Sequence, residues 1–481
     1  MAGGLQHAGQ FTIEKLDLIT SSGNHINLLP NSVLGITLWE DIFSMTITGT
    51  IAIKDSVNLA SVGPLIGQEY LHLKIRTPFV NEDEDNTIDF SENAFLIHQV
   101  SKRQRFTEGV QGVVLSFVSQ ELVKNQRIKI MRSFTDTWSD IVQKMMISPL
   151  YLNSKKKLQI ESTSGVKKFV APNIRPLDIV VMAMKQSVSQ YKGESTYLFY
   201  ETLKGFNFRT LASLYNDGSL TEYAAFQPGT NIIPTGQPGH GSINILQDLR
   251  TVLNYEIISN NDSITNYRTG MYGSKLITHD IVSKSYTTTQ YNYLDNFNNE
   301  AHIVGGVTEG TPEYPIVSSL VVDDYGQRVS DFPARTFMLP TSLTGGSDSQ
   351  HTTGNNTQPY MAYDPHKWIQ KRNSQMIQLD SALQVNVEVH GNTLINAGDK
   401  VILNLPYSGA VKNLEDGIYD KFYRGPFLIK KIRHDFVITE NPKHKMYMQL
   451  VKDSLEQELA DTGPSEPSAP LSQFVEEYSY S

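Results

Sequence analysis

The sequence predicts a mainly β chain of the α+β class, with a helical segment in its middle. Three observations carry this. Short runs of alternating apolar and polar residues crowd roughly the first 125 positions and return after Gln384. Apolar residues recur at helical spacing between Trp138 and Tyr191. The 23 Tyr and 20 Phe favour strands. With 481 residues there is room for about three domains of ~150 residues each. At 39% hydrophobic and 19% charged, the chain supports a packed core and is not globally disordered.

Along the chain, the clearest strand is Met45–Ile53. Met45, Ile47, Ile51 and Ile53 fall on one face, and Thr46, Thr48, Thr50 and Ala52 on the other. Gly49 interrupts the apolar face, which predicts a bulge or a close backbone approach. Tyr70–Ile75, Ala94–Val100 and Val110–Val118 continue the pattern, so residues 1–125 are expected to form a small barrel or sandwich, which the resemblance given below makes a first tube-like β-barrel. The character changes after Lys124. Trp138, Ile141, Val142 and Met145 lie on one helical face, with Thr135 or Asp136 placed to cap it. A second helix is expected from Pro176, with Leu177, Val181, Met184, Val188 and Tyr191 as its stripe. Residues 126–195 therefore read as a helical middle domain.

Strands resume at Thr196–Tyr200 and Gly205–Leu211, and the resemblance given below makes them the start of a second barrel within 196–299. The Gly-, Ser- and Thr-rich stretch 300–362 reads as a loop-rich insertion. A helix around Trp368, Arg372, Met376 and Leu379 follows, and 363–455 supplies a second strand-rich region, which the resemblance given below makes the remainder of the second barrel. Residues 456–481 are expected to form an acidic flexible tail, broken by Pro464, Pro467 and Pro470. Its end regains Leu471, Phe474, Val475, Tyr478 and Tyr480. The first four of these sit at i, i+3, i+4 and i+7, the pattern of a short partner-docking element.

Charge and motifs narrow the function. The net charge of −9 argues against a general nucleic-acid binder. Residues 101–200 nevertheless carry +9, leaving −18 for the rest; that is the pattern of a solvated basic face or of a docking surface for an acidic partner. Lys102, Arg103 and Arg105 before Phe106 offer a fragment of a nucleic-acid platform. The absence of cysteine excludes disulfides, thiolate metal sites and cysteine nucleophiles. The longest apolar run, Ile179–Met184, is too short to span a membrane. No phosphate loop, nucleophile elbow or zinc-helix motif occurs. His240 reads as a loop histidine and His279-Asp280 as a strand-end turn, while Glu82–Asp85 form a solvated acidic loop. No cofactor, metal or catalytic group is expected.

The runs Ile36–Ile42, Met45–Ile53, Lys54–Asn58 and Pro64–Glu69 together resemble the N-terminal barrel of the central baseplate hub protein of T-even-type contractile phages. That fold also forms the VgrG-like base of the type VI secretion spike. Arg175–Ile179 resembles the family's helical middle segment, and Tyr197–Phe208 the start of its second barrel. The likeness continues through Gly398–Leu403, Gly425–Phe436 and Lys445–Leu450, with His434 in the closing hairpin. The insertion 300–362 and the tail after Lys452 depart from the family plan. The resemblance implies a structural, non-enzymatic homotrimer in the virion tail baseplate, assembled in the host cytoplasm. Six barrels from three chains would adapt a three-fold central spike to the six-fold tail tube. Spike, tube, other baseplate and tape-measure proteins would be its partners, with DNA only in transit and no membrane insertion. A second reading of the aromatic-rich strands is a carbohydrate-binding or carbohydrate-cleaving tail accessory.

Overall fold

A computed structural model describes residues 7–29, 32–56, 65–78, 87–107, 109–217, 220–225, 249–259, 261–281, 283–305, 312–318, 324, 326–341, 350–353, 356–359, 363–381, 383–406, 419–438 and 442–458. The first unit contains β1 (Thr12–Ile19), β2 (His25–Asn27), β3 (Val33–Asp41), β4 (Thr48–Asp55), β5 (Tyr70–Arg76), β6 (Thr87–Asp89), β7 (Phe95–Thr107) and β8 (Val110–Ser119). Its strands pair in the order β2-β1-β5-β7-β8-β4-β3, with β6 added to β5. The period-two pattern does what it predicts: Ile47, Ile51 and Ile53 face a core shared with Leu38, Leu115 and Phe117. Gly49 marks a close approach and not a bulge. The β3–β4 register runs unbroken through Leu38↔Gly49, and a Cβ there would lie 2.2 Å from the Phe117 ring.

The middle unit holds helices Gln120–Arg127, Trp138–Ile147 and Pro176–Gln186, with β9 (Ser133–Thr137), β10 (Leu158–Ile160) and β11 (Val166–Val170). The cap of the second helix is Thr137, and not the expected Thr135 or Asp136; its side chain accepts from the Asp140 N–H. The buried face of the third helix also differs from expectation. Ile179, Val180 and Ala183 are sealed, while Tyr191 lies beyond the helix end and is 64% exposed. The helix stops at Gln186 because Ser187 leaves the helical conformation, its N–H and hydroxyl both bonding Ala183 O.

β12 (Tyr197–Thr202) and β13 (Gly205–Thr210), expected to open the second barrel, instead pair with each other and with β10 in a separate three-stranded sheet. Tyr197 and Phe199 pack on the helical core around Trp138. Leu198 and Tyr200 on the opposite face join a different cluster with Leu428 and Val451. The strand is buried on both faces, so its apolar run does not distinguish a barrel wall from a layer between two cores.

The second barrel begins with β14 (Leu220–Ala225) and β15 (Thr251–Ser259). A long excursion follows: β16 (Gly273–Asp280), β17 (Ser285–Asn292), β18 (Tyr314–Pro315), β19 (Arg335–Thr341), β20 (Gln350–Thr353), β21 (Asn356–Pro359) and the helix Ile369–Ser381. Within the stretch expected to be loop-rich, β19 runs parallel to β16 through seven paired positions. The chain then returns as β22 (Leu383–His390), β23 (Lys400–Pro406), β24 (Tyr419–Val437) and β25 (Lys443–Lys452), and β26 (Ser454–Leu455) pairs with β18. The pairings β24–β23–β14–β15–β22–β25 lead back to β24, closing a six-stranded barrel around Val385, Val401, Phe427, Ile429 and Met448.

The two barrels share β24, which is 19 residues long. On one side its first half pairs with β23 and its second half with β3; on the other it pairs with β25. Phe11 packs edge-on against Phe436 of β24 at 5.2 Å, and Gly9 O accepts from His444 N of β25 at 2.8 Å, so the chain start is pinned to this hairpin.

Candidate assembly surface

Because β3 joins β24, one antiparallel run crosses both barrels: β7-β8-β4-β3-β24-β25-β22-β15. Side chains alternate across it, so the residues opposite the two cores form a continuous outer face. In the first barrel this face is small and hydroxylic. Register places Thr37, Thr50 and Ser116 side by side, then Trp39 beside Thr48. In the second barrel it becomes charged. Trp39, Arg433, Tyr447 and Glu388 line up across four strands, and Asp41, Lys431, Gln449 and Asn386 form the next row. These rows border a shallow hollow of ≈ 580 Å³.

Three cations of the second-barrel part are paired within the face. Lys431 meets Asp41 at 3.0 Å, Arg433 meets Asp435 at 2.9 Å, and Lys445 meets Glu388 at 2.8 Å. Arg433 also lies over the Tyr447 ring at 4.0 Å. The two cross-strand pairs, Lys431–Asp41 and Lys445–Glu388, hold the sheet in register.

Two buried polar clusters fix this face on its scaffold. Glu40 follows Ile36 and Leu38 on the core side of β3 and is 1% exposed. One carboxylate oxygen accepts from Leu203 N at 2.8 Å, in the β12–β13 turn, and the other from Ala397 N at 2.7 Å, in the β22–β23 loop. Burial pushes its carboxyl up to about 8 despite these two donors. His434 lies beside it, Nε2 to Oε1 3.8 Å, and bonds His444 ring to ring at 3.1 Å. Burial pushes His434 down to about 3 and His444 well below the usual histidine value, so both rings are neutral.

In the second cluster, Lys156 bridges Glu201 at 2.6 Å and Glu121 at 2.9 Å. Glu201 also accepts from Ile47 N and Ser119 Oγ, tying β12 to the first barrel. Burial opposes the charge on Lys156, but the two carboxylates together hold its pKa above the ordinary lysine value. These groups are positioned to hold units together.

The residues singled out from sequence fall elsewhere. Leu471, Phe474, Val475, Tyr478 and Tyr480 lie outside the described residues, as do His240 and Glu82–Asp85. His279 and Asp280 are successive on β16 and face opposite ways, His279 exposed and Asp280 buried, so they form no acid–base pair. Asp280 closes the strand end by accepting from Ser283 N. Lys102, Arg103 and Arg105 stand on the exposed half of β7. Among the described residues, no group of His, Asp and Glu side chains is arranged to hold a metal, and no helix is long and apolar enough to cross a membrane. Glu40 was legible as a carboxylate in the apolar phase of a strand. Lys156 and Glu201 left no such signal, since their partners come from distant segments.

These features define a class: a β-barrel protein whose distinctive surface is an extended sheet face. The comparisons give that class a particular relative. Over 381 residues the chain is 21% identical to the probable baseplate hub protein gp334 of Vibrio phage KVP40, an alignment covering 78% of this chain and 80% of that protein. The resemblance read from the sequence is thus to the same kind of protein, a phage baseplate hub. No protein-family model matches the chain. Among solved structures, a tail protein from Neisseria meningitidis MC58 aligns with a TM-score of 0.46 at 8% identity, covering 91% of this chain and 96% of that one. The 43 kDa tail protein of prophage MuSo2 from Shewanella oneidensis aligns with a TM-score of 0.45 at 10% identity, covering 91% and 98%.

Proposed function

We propose that the chain is a structural subunit of a contractile-tail baseplate hub, located in the virion, and that three copies form a ring around a channel. The observation that carries this is the pairing of two barrels side by side in one chain through the shared strand β24. Three such chains present six barrels. A ring of this kind meets a three-fold central spike on one side and a six-fold tail tube on the other, with other baseplate and tape-measure proteins as further partners. The ion-paired outer face suits a channel wall that DNA passes without being held. The role is non-enzymatic: the sequence relative is named as a hub protein, and the buried carboxylates and histidines are occupied in joining units.

Light scattering on the purified full chain tests this. Three copies of 54.0 kDa give about 162 kDa, with a three-fold ring and a central hole in negative stain. A monomer at micromolar concentration overturns the reading.

A further inference from the structure

The excursion that interrupts the second barrel carries a small sheet, β17-β16-β19, with two unlike faces. The inner face is occupied. Thr278 bonds the His366 ring and Gln370 donates to Ser274 O, so the helix Ile369–Ser381 and the turn before it back the sheet. The alternate residues point the other way. Register sets Tyr286, His279 and Pro340 in one outward row and Thr288, Ile277 and Met338 in the next, with Lys275 in the row beyond. Tyr286 is 77% exposed and Met338 74%, and Ile281, just past the end of β16, is 69% exposed. Large apolar side chains are thus gathered on one open face beside a lysine and an imidazole, and none of these outward positions is acidic. Such a face suits an occupant that is both apolar and acidic.

One segment of this chain has that chemistry, and it is tethered beside the face. After Lys452 there is no Lys or Arg. Leu471, Phe474, Val475 and Tyr478 share one side at helical spacing, with Glu476 and Glu477 before the last of them. The root of this tail is fixed in the excursion. β26 pairs with β18, Leu455 against Tyr314, and Val317 just after β18 packs on the core that holds Tyr272 and Tyr291. Between Glu458, where the described chain ends, and Leu471 the chain reaches about 40 Å when extended. The central strand β16 is only about 26 Å long.

We propose that the outer face of β17-β16-β19 is the seat of the chain's own C-terminal segment. Residues 471–480 lie across the sheet with their apolar side on Met338, Ile277 and Tyr286 and their glutamates toward Lys275 and His279. The tether decides between this tail and one from a separate molecule. It holds the segment at an effective concentration on the order of 1 mM, far above that of free copies at micromolar concentration. A seat with a dissociation constant of about 0.5 mM is then filled about two-thirds of the time. A partner that binds the tail more tightly lifts it from the sheet and bares the face in the same step. Every residue involved belongs to one chain, so the seat is independent of the three-copy ring.

The chain has no cysteine, which makes the seat directly testable by thiol labelling. Thr288→Cys places one thiol on the outer face of the full chain, and Ser22→Cys, in the exposed turn after β1, serves as the control. With excess maleimide, the Thr288→Cys thiol is expected to react about threefold more slowly in the full chain than in a chain ending at Asp461, and the control equally in both. Thr336→Cys repeats the measurement if the first variant perturbs folding. Phe474→Ala in the full chain is expected to remove most of the difference. Equal rates in the full and shortened chains overturn the seat, and so does a difference that survives Phe474→Ala, since that reports the bulk of the tail and not its apolar side. A chain carrying both Thr288→Cys and Ser472→Cys is expected to link within itself through a bismaleimide and stay at monomer mass on denaturing gels. Cross-linked dimer from a mixture of the two single variants overturns the assignment to the chain's own tail.

Discussion

Glu40 is the residue on which most of the junction converges, since its two oxygens hold backbone N–H groups from two different units. Glu40→Gln keeps the size but turns an NH₂ toward one of those donors. We expect a loss of about 1–3 kcal/mol, the usual cost of a buried donor left without an acceptor, measured by urea unfolding. The buried histidines set a pH dependence with a definite sign. His434 and His444 stay neutral in the fold but protonate near 6.5 when unfolded, so their contribution is full above that value. It is lost as pH falls below that value, down to about 3 for His434, by up to tenfold in the folding equilibrium per pH unit for each ring. Glu40 acts in the opposite sense. Its folded carboxyl holds a proton up to about 8, so its contribution declines as pH rises from its unfolded value of 4.5. His302, whose two ring nitrogens meet Asp453 and Phe297 O, is raised above the ordinary histidine value and also loses its contribution on the alkaline side. The urea midpoint is therefore expected to peak near pH 6.5, read from a series between pH 4 and 8. Monotonic behaviour across that range contradicts these assignments. The parity of Ile36, Leu38 and Glu40 made one of these groups visible in the sequence. The histidine pair was not, because His434 and His444 meet only once β24 and β25 are in register.

At the scale of elements, the barrel strands were legible because alternation maps directly onto inside and outside. Of the strand expected at Met45–Ile53, the observed one begins at Thr48; Ile47, Ile51 and Ile53 do face the barrel core, whereas Met45 packs on the helical core and Thr46 is buried. Gly49 illustrates the limit: sequence offered a bulge or a close approach, and only the position of the Phe117 ring decided. Gly49→Ala forces that ring and the Thr37 carbonyl, 2.8 Å from the added Cβ, to move together. We expect about 1–3 kcal/mol of destabilisation from overpacking, seen as a lowered denaturant midpoint with unchanged slope. β12 was misplaced for a different reason. Its six consecutive buried residues serve two cores at once, and nothing local in Tyr-Leu-Phe-Tyr records that there are two. The third helix was placed rightly but rotated wrongly, since Ile179-Val180-Val181-Met182 leaves the choice of buried face to the partner it meets.

For the whole molecule, the hub reading divides the chain into a body that makes the ring and a tail that does not. The tail, residues 456–481, is acidic and proline-broken until Leu471, and we propose that it docks on a neighbouring baseplate or spike chain. Truncation after Asp461 is expected to leave the trimer mass and melting temperature unchanged while weakening assembly with that partner. Failure of the truncated chain to trimerise places the tail in the ring interface instead. The shared strand β24 has a mechanical meaning as well. Nineteen residues in extended conformation reach on the order of 60 Å, and they pass from one barrel into the other with no linker at the crossing. A load applied along that strand is resisted by its ladder bonds in parallel, in shear, whereas a load on a loop joint would peel bonds one at a time. The crossing therefore has no loop, and the only break in its pairing with β25 is the register shift between Ile429 and Lys431. Torque delivered to one barrel arrives at the other as rotation of the pair, the stiffness required of a part that must hold its shape while the machinery around it contracts.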